Sequence, residues 1–231
     1  MKKTIGIIGG MGPMATVDLF GKIVANTQAA CDGDQLRVLI DNNTAIPDRS
    51  AAILSGGESP LPQMQKSARL LEQMGADLLV IACNTAHHYY KEIAGAVSIP
   101  VLDMIAITLE ECIAQGYTCA GLLSTTGTVK AGVYGQVFSK SSCRCILSDE
   151  EEQGAVMEAI YKYKADSTVR DTGAIAAAAE QLRDRGAQAI ILGCTELPLI
   201  ASAGPALPLP LLDPTLLLAR RAIREAGGKT I

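Results

Sequence analysis

The sequence predicts an α/β protein of two pseudosymmetric domains, each a parallel four-stranded sheet flanked by helices. Three observations predict it. Short apolar runs alternate with helical spacing along the whole chain, the series restarts near residue 118, and three segments recur in order at nearly one offset. Residues 75–83 (GADLLVIAC) lie opposite residues 186–194 (GAQAIILGC), 111 positions on. Residues 100–103 (PVLD) recur as 210–213 (PLLD) at 110, and residues 6–8 (GII) as 121–123 (GLL) at 115. At about 150 residues per domain, 231 residues leave one large unit or two small ones open. The repeat favours two copies: residues 1–103 with a returning 213–231, and residues 104–212.

Residues 4–8 read as a buried strand closed by the loop Gly9-Gly10-Met11-Gly12-Pro13, with helical spacing from 14 to 30. Residues 36–40 form a second strand, running into a polar loop that ends at Ile46-Pro47-Asp48-Arg49. A helix over 62–74 stops at Gly75, a third strand covers 78–82, a short helix 85–94, and a fourth strand 101–102 follows Pro100. In the second copy, strand 118–123 leads to Ser124-Thr125-Thr126-Gly127-Thr128, and a short strand covers 145–147. Helices over 150–164 and 171–185, a strand over 189–192 and a closing helix over 214–226 complete it. Strands that alternate with helices predict a parallel sheet, because a helical crossover returns the chain to the end of the sheet where the previous strand began.

Net charge −4, eight aromatics and no Trp argue against a nucleic-acid partner, which needs basic surface and stacking rings. Glycines and Pro13 interrupt the apolar N-terminus before a signal-type h-region can form, and no run approaches the roughly 18 apolar residues of a membrane span. A cytoplasmic protein without membrane attachment is expected. Seven cysteines, an odd number without a dense framework, fit a reducing compartment.

Two of these thiols recur at the repeat offset. Cys83 and Cys194 each follow the third strand of a copy, where ligands of open parallel sheets bind and where a helix N-terminus favours thiolate. If the copies face each other, the thiols converge on one cleft and can remove a proton from one face of a carbon while delivering another to the opposite face. That is racemisation without a cofactor. The acidity deficit of Cα–H calls for preorganised donors, supplied by Asn84, Thr85, Thr195 and the amides of the 10–12 and 125–128 loops. The other thiols read as packing residues, although Cys143 and Cys145 form a C-x-C that metal or redox chemistry could use.

Rival readings exist for the same residues. Gly10-x-Gly12-x-x-Ala15 with Asp41 has the outline of a dinucleotide fingerprint, which would make the protein a nucleotide- or ligand-binding regulator. Pro13 removes an N–H from that turn, and a carboxylate can use the same loop. His87 and His88 suggest a Cys–His hydrolase pair with Cys83, but a histidine four residues on lies a turn behind the thiol, suiting orientation or capping. Arg49 and Lys164 would be solvated charges in most proteins.

Taken together, residues 9–16 (GGMGPMAT), 46–49 (IPDR), 83–87 (CNTAH), 100–104 (PVLDM) and 193–196 (GCTE) resemble the aspartate/glutamate racemase family over the whole chain, and most of all its aspartate racemase branch. The resemblance implies an active site in a cleft between two lobes, commonly a homodimer, an amino-acid substrate, and no pyridoxal phosphate, metal or nucleotide. Cys83 and Cys194 match the two catalytic cysteines, Cys194 working on the L and Cys83 on the D enantiomer. Asn84, Thr85 and Thr195 match residues holding the α-carboxylate and amino group, and Met11, Thr126 and Glu196 complete the expected binding set. Arg49 and Lys164 match the basic residues for a side-chain carboxylate, which a bidentate guanidinium suits. Asp166 stands where relatives often carry Gly, so Lys162 and Lys164 both stay open for the second role. Aspartate is the expected substrate, with glutamate or a broad amino-acid range as the alternative.

Overall fold

The computed structural model describes residues 2–231. The chain divides into two compact units, residues up to Met104 with Thr215–Ile231, and Ile105–Pro214.

In the first unit, β1 (Ile5–Gly9), β2 (Val38–Asn42) and β3 (Leu78–Ile81) form a parallel sheet in the order β2-β1-β3. Ile5 pairs with Val38 on one side and Leu78 on the other. β1 and β3 are buried along their whole length, so both read as unbroken apolar runs rather than alternating ones. The sheet has three strands where four are expected. Residue 101 makes one bridge to Leu79, after which the chain turns to His87, whose Nε2 accepts from the Met104 amide at 3.2 Å.

In the second unit, β4 (Cys119–Ser124), β5 (Arg144–Leu147), β6 (Ala189–Gly193) and β7 (Leu211–Leu212) form the expected four-stranded parallel sheet, ordered β5-β4-β6-β7. The helix Glu150–Ala165 is fixed at its start by a capping box between Asp149 and Glu152, which satisfies two otherwise orphaned amides.

The repeat is physical as well as textual. Gly75 and Gly186 both take left-handed φ, +93° and +94°, and both turn the chain from a helix into the third strand of their unit. Ala76 and Ala187 then donate to Leu71 and Leu182 carbonyls, each at 3.0 Å. A Cβ on Gly6 would meet Leu79 at 2.5 Å and Leu71 at 3.3 Å, while one on Gly121 would meet Leu182 and Ile190 at 3.0 and 3.1 Å. Leu71 and Leu182, and Leu79 and Ile190, are equivalent at the 111-residue offset. In both units a helix therefore packs directly on the backbone of the central strand.

Several elements are not legible from periodicity. The helix expected from residue 14 to 30 is Pro13–Asn26, because the chain turns extended at Thr27, which bridges to Thr230. The polar loop after β2 yields a helix, Arg49–Ser55, capped by Asp48, whose carboxylate accepts from Ala51 N at 2.7 Å. Segment 85–94 is a 3₁₀ turn, Thr85–Tyr89, followed by one α turn, Tyr90–Ala94. Two short helices, Thr126–Lys130 and Val133–Phe138, fill the stretch between β4 and β5.

Candidate active site

In the first unit, Cys83 lies just beyond β3, 5 % exposed, packed with Met11, Ile46 and Ala86. Asn84 and Thr85 follow it, both buried, at the start of the 3₁₀ turn. His87 braces this loop. Its Nδ1–H donates to the Cys83 carbonyl at 2.8 Å while Nε2 accepts from Met104 N, so the ring is the neutral Nδ1–H tautomer and both nitrogens are satisfied. Tyr90, stacked parallel to it, donates to the Val101 carbonyl at 2.9 Å. The histidine is thus a positioning residue for the cysteine loop, in agreement with its reading as an orienting group and not as a hydrolase base.

Burial pushes the His87 pKa below the ordinary histidine value, against an opposing pull from Asp103. The unfolded chain therefore binds a proton below about pH 6.5 that the folded chain refuses, and stability falls as pH drops through that window. His87→Ala is expected to lose roughly 1–3 kcal/mol at pH 7.5 from two hydrogen bonds. Urea unfolding at pH 7.5 and 5.5 should show wild type losing stability on acidification and the variant losing less. Equal losses would remove His87 as the source.

The glycine loop and Arg49 form the other half of this site. Gly10 has φ +87°, and a Cβ there would lie 2.3 Å from the Asn43 backbone, so only glycine fits. Thr16 closes the loop, its Oγ1 accepting from Gly10 N at 2.9 Å and donating to Gly12 O at 3.2 Å. The Met11 side chain is buried, but its carbonyl accepts from Arg49 Nη2 at 2.9 Å. Arg49 Nη1 donates to the Pro47 and Ile46 carbonyls at 3.1 and 3.4 Å. Arg49 is 8 % exposed, its Nε is buried without a partner, and no carboxylate among the described residues pairs with it. A solvated charge is ruled out. This is a buried guanidinium locked by backbone carbonyls and lacking a counter-ion, and a desolvated cation of that kind is stabilised by an arriving anion.

In the second unit, Cys194 directly follows β6 and is 5 % exposed. Its thiol donates to Glu196 Oε2 at 2.9 Å, the Thr195 hydroxyl donates to the same oxygen at 3.2 Å, and Lys164 Nζ stands 3.8 Å from Oε1. Thr126 opens a short helix whose N-cap, Thr125, accepts from Thr128 N, and Gln153 Nε2 ties the loop by donating to Ser124 O at 2.8 Å. The expectation that position alone favours a thiolate fails at Cys194. Burial first, and then the neighbouring Glu196 charge, push its thiol well above the ordinary range, with Lys164 opposing.

These two clusters, one in each unit, can be set beside known proteins. A family model described as Asp/Glu/Hydantoin racemase matches residues 8–222. The chain belongs to the Asp/Glu/hydantoin racemase family. An aspartate racemase from Picrophilus torridus is 32 % identical, with 99 % of this chain and 96 % of that one covered and a TM-score of 0.88. The broad specificity amino-acid racemase RacX of Bacillus subtilis (strain 168) is 28 % identical over 232 residues, covering 95 % of this chain and 96 % of its own. A glutamate racemase from Desulforudis audaxviator (strain MP104C) is 25 % identical over 96 % of this chain and 78 % of its own.

Within this racemase-family chain, the two lysines have different partners. Lys162 is surface-exposed and pairs with Glu158 at 2.9 Å and Asp171 at 3.7 Å. Lys164 points to Glu196, beside Cys194. The C-x-C pair belongs to neither cluster. Cys143 is buried among Cys112, Tyr134 and Phe138, and burial raises the Cys145 thiol to about 12. Among the described residues, no group of three or more His, Cys, Asp or Glu could hold a metal ion, and no helix is long and apolar enough to cross a membrane.

Sequence reasoning did not foresee the contact of Glu196 with the Cys194 thiol. The available signal was the repeat itself: at the 111-residue offset Glu196 stands where the first copy has Thr85.

Proposed function

We propose that this racemase-family chain inverts an acidic amino acid, aspartate first, by a two-base mechanism using Cys83 and Cys194 without pyridoxal phosphate, metal or nucleotide. The observation that carries this reading is the repeated cysteine: the five other thiols have no counterpart at the 111-residue offset, while these two occupy the same place beyond the third strand of each copy. One thiolate takes the Cα proton, the other thiol delivers a proton to the opposite face, and the roles exchange in the reverse direction. Asn84, Thr85, Thr126 and Thr195 bind the α-carboxylate and amino group as hydrogen-bond donors and acceptors, together with the Met11 loop. Arg49 takes the side-chain carboxylate, which supports a dicarboxylic substrate over an apolar one. The aspartate racemase of Picrophilus torridus supports aspartate, and RacX of Bacillus subtilis supports a wider range.

The deciding experiment is a chiral assay in deuterium oxide over aspartate, glutamate and a panel of neutral amino acids. Each aspartate enantiomer should gain one deuterium at Cα as it inverts. Inversion without deuterium would end the two-cysteine mechanism, whereas binding of NAD or ATP without turnover of any amino acid would refute the racemase reading in favour of the nucleotide-binding one. The protein is proposed to work in the cytoplasm as a homodimer. Met14, Val17, Phe20 and Val24 support the dimer, forming an exposed apolar row on the helix Pro13–Asn26 of the kind that marks interaction surfaces.

A further inference from the structure

The repeat extends past the central strands into the turns that follow them. At the 115-residue offset that pairs residues 6–8 with 121–123, Met11 meets Thr126 and Gly12 meets Gly127. The edge strands correspond as well, since β2 lies beside β1 as β5 lies beside β4. The helix after each edge strand, Arg49–Ser55 in the first unit and Glu150–Ala165 in the second, sends side chains back to the turn. In the first unit Arg49 Nη2 donates to the Met11 carbonyl at 2.9 Å. In the second, Gln153 Nε2 donates to the Ser124 carbonyl at 2.8 Å and stands 3.5 Å from Thr126 Oγ1, while Met157 Sδ accepts from the Thr126 amide at 3.4 Å. Gln153 and Met157 are four residues apart on one helix, so both face the same loop.

The turn held in this way has one opening. Residues 119–125, 127 and 128 are buried, whereas Thr126 between them is partly exposed. The neighbouring hydroxyls of Thr125 and Thr128 are bonded to each other at 3.0 Å. A hydroxyl oxygen that receives an N–H keeps its own proton for a second partner. With Gln153 on one side, Thr126 Oγ1 is presented as a donor, the polarity that a carboxylate oxygen requires.

We propose that Gln153 is a positioning residue for substrate binding. It fixes the Thr126 turn in the second unit as Arg49 fixes the Met11 turn in the first, and it leaves the Thr126 hydroxyl proton free for a substrate carboxylate. The proposal rests on the reading above in which Thr126 binds substrate. The two braces differ in charge: Arg49 is a cation that can itself hold an anion, whereas a neutral carboxamide acts only through the turn it ties. Such a brace serves ground state and transition state alike, so its loss raises KM with little change in kcat.

Gln153→Met tests this directly, because methionine is close in shape, neutral and as good a helix former, and lacks the N–H donor. With aspartate as substrate, KM should rise about three- to tenfold, the effect of one neutral hydrogen bond, with kcat within about twofold of wild type. Thr126→Val should raise KM at least as much. The double variant should be no worse than Thr126→Val alone, because the effect of residue 153 passes through residue 126. Gln153→Glu also keeps the shape and has no N–H to donate, so it reads the same contact should the methionine variant not fold, and its KM should rise at least about threefold. A KM within about 1.5-fold of wild type in either variant, beside a raised KM in Thr126→Val, overturns the positioning role alone, even where the melting temperature falls. So do effects that multiply in the double variant, or a lowered kcat at unchanged KM. A normal KM in Thr126→Val removes Thr126 from the binding set and this proposal with it, while leaving the two-cysteine reading intact. A wild type that inverts no amino acid overturns the racemase reading itself.

Discussion

Cys83→Ala and Cys194→Ala are each expected to reduce inversion of aspartate by at least about 10³-fold, within the range attributed to a positioned acid or base. The loss should be equal in both directions when expressed as kcat/KM, because enantiomers have an equilibrium constant of one. What distinguishes the variants is exchange. Cys83→Ala retains the thiol expected to work on L-aspartate and should still wash deuterium into the Cα of that enantiomer alone, while Cys194→Ala should do so for D-aspartate alone. Chiral chromatography with mass detection reads both quantities. Normal inversion in either variant would end the two-base mechanism, and exchange of the opposite handedness would reverse the assignment of faces. Neither substitution should unfold the chain, since each removes one sulfur at the margin of a large apolar cluster.

The second large effect concerns Arg49. Arg49→Ala is expected to lower kcat/KM for aspartate by roughly 10–150-fold, the loss of about 1.5–3 kcal/mol from a charged hydrogen-bonded pair. It should change kcat/KM for alanine several-fold at most. Arg49→Lys should recover little, because an ammonium on a flexible stem cannot reproduce three carbonyl contacts and a planar fork. Equal losses on aspartate and alanine would mean that Arg49 shapes the glycine loop through the Met11 carbonyl instead of clamping a side chain. A stability measurement on the free enzyme separates these outcomes, since removing a loop brace destabilises the apo protein and removing an uncompensated buried cation does not.

Much of the fold was legible because its signals are local. The alternation of apolar strands and amphipathic helices, the glycines that end helices, and the 111-residue repeat all lie along the chain, and the two parallel sheets follow from them. Boundaries were less legible where a distant partner ends an element. Thr27 leaves the helix to bridge to Thr230, and the strand expected at residue 101 is reduced to one bridge as the chain turns to His87. The helix Arg49–Ser55 was hidden inside a stretch whose Pro, Asp and Asn suggest a loop, though Asp48 is a proper cap for it.

The sequence by itself determined the family and the place of its candidate groups: two thiols at equivalent places in two copies, a glycine loop of a kind that can bind an anion, and a PDR segment carrying an arginine. Only the tertiary structure decided what those groups are electrostatically. Arg49 reads as a surface charge until its carbonyl partners from positions 11, 46 and 47 are seen around it. Lys162 and Lys164 are two residues apart on one helix, yet one faces surface carboxylates and the other Glu196. Cys83 and Cys194 are alike in the repeat, yet Cys194 donates to a buried carboxylate. The physical reason is common to all three. Residue type and spacing encode which backbone conformation forms, but a charge or thiol takes its chemistry from desolvation and from partners that the fold brings in from elsewhere in the chain.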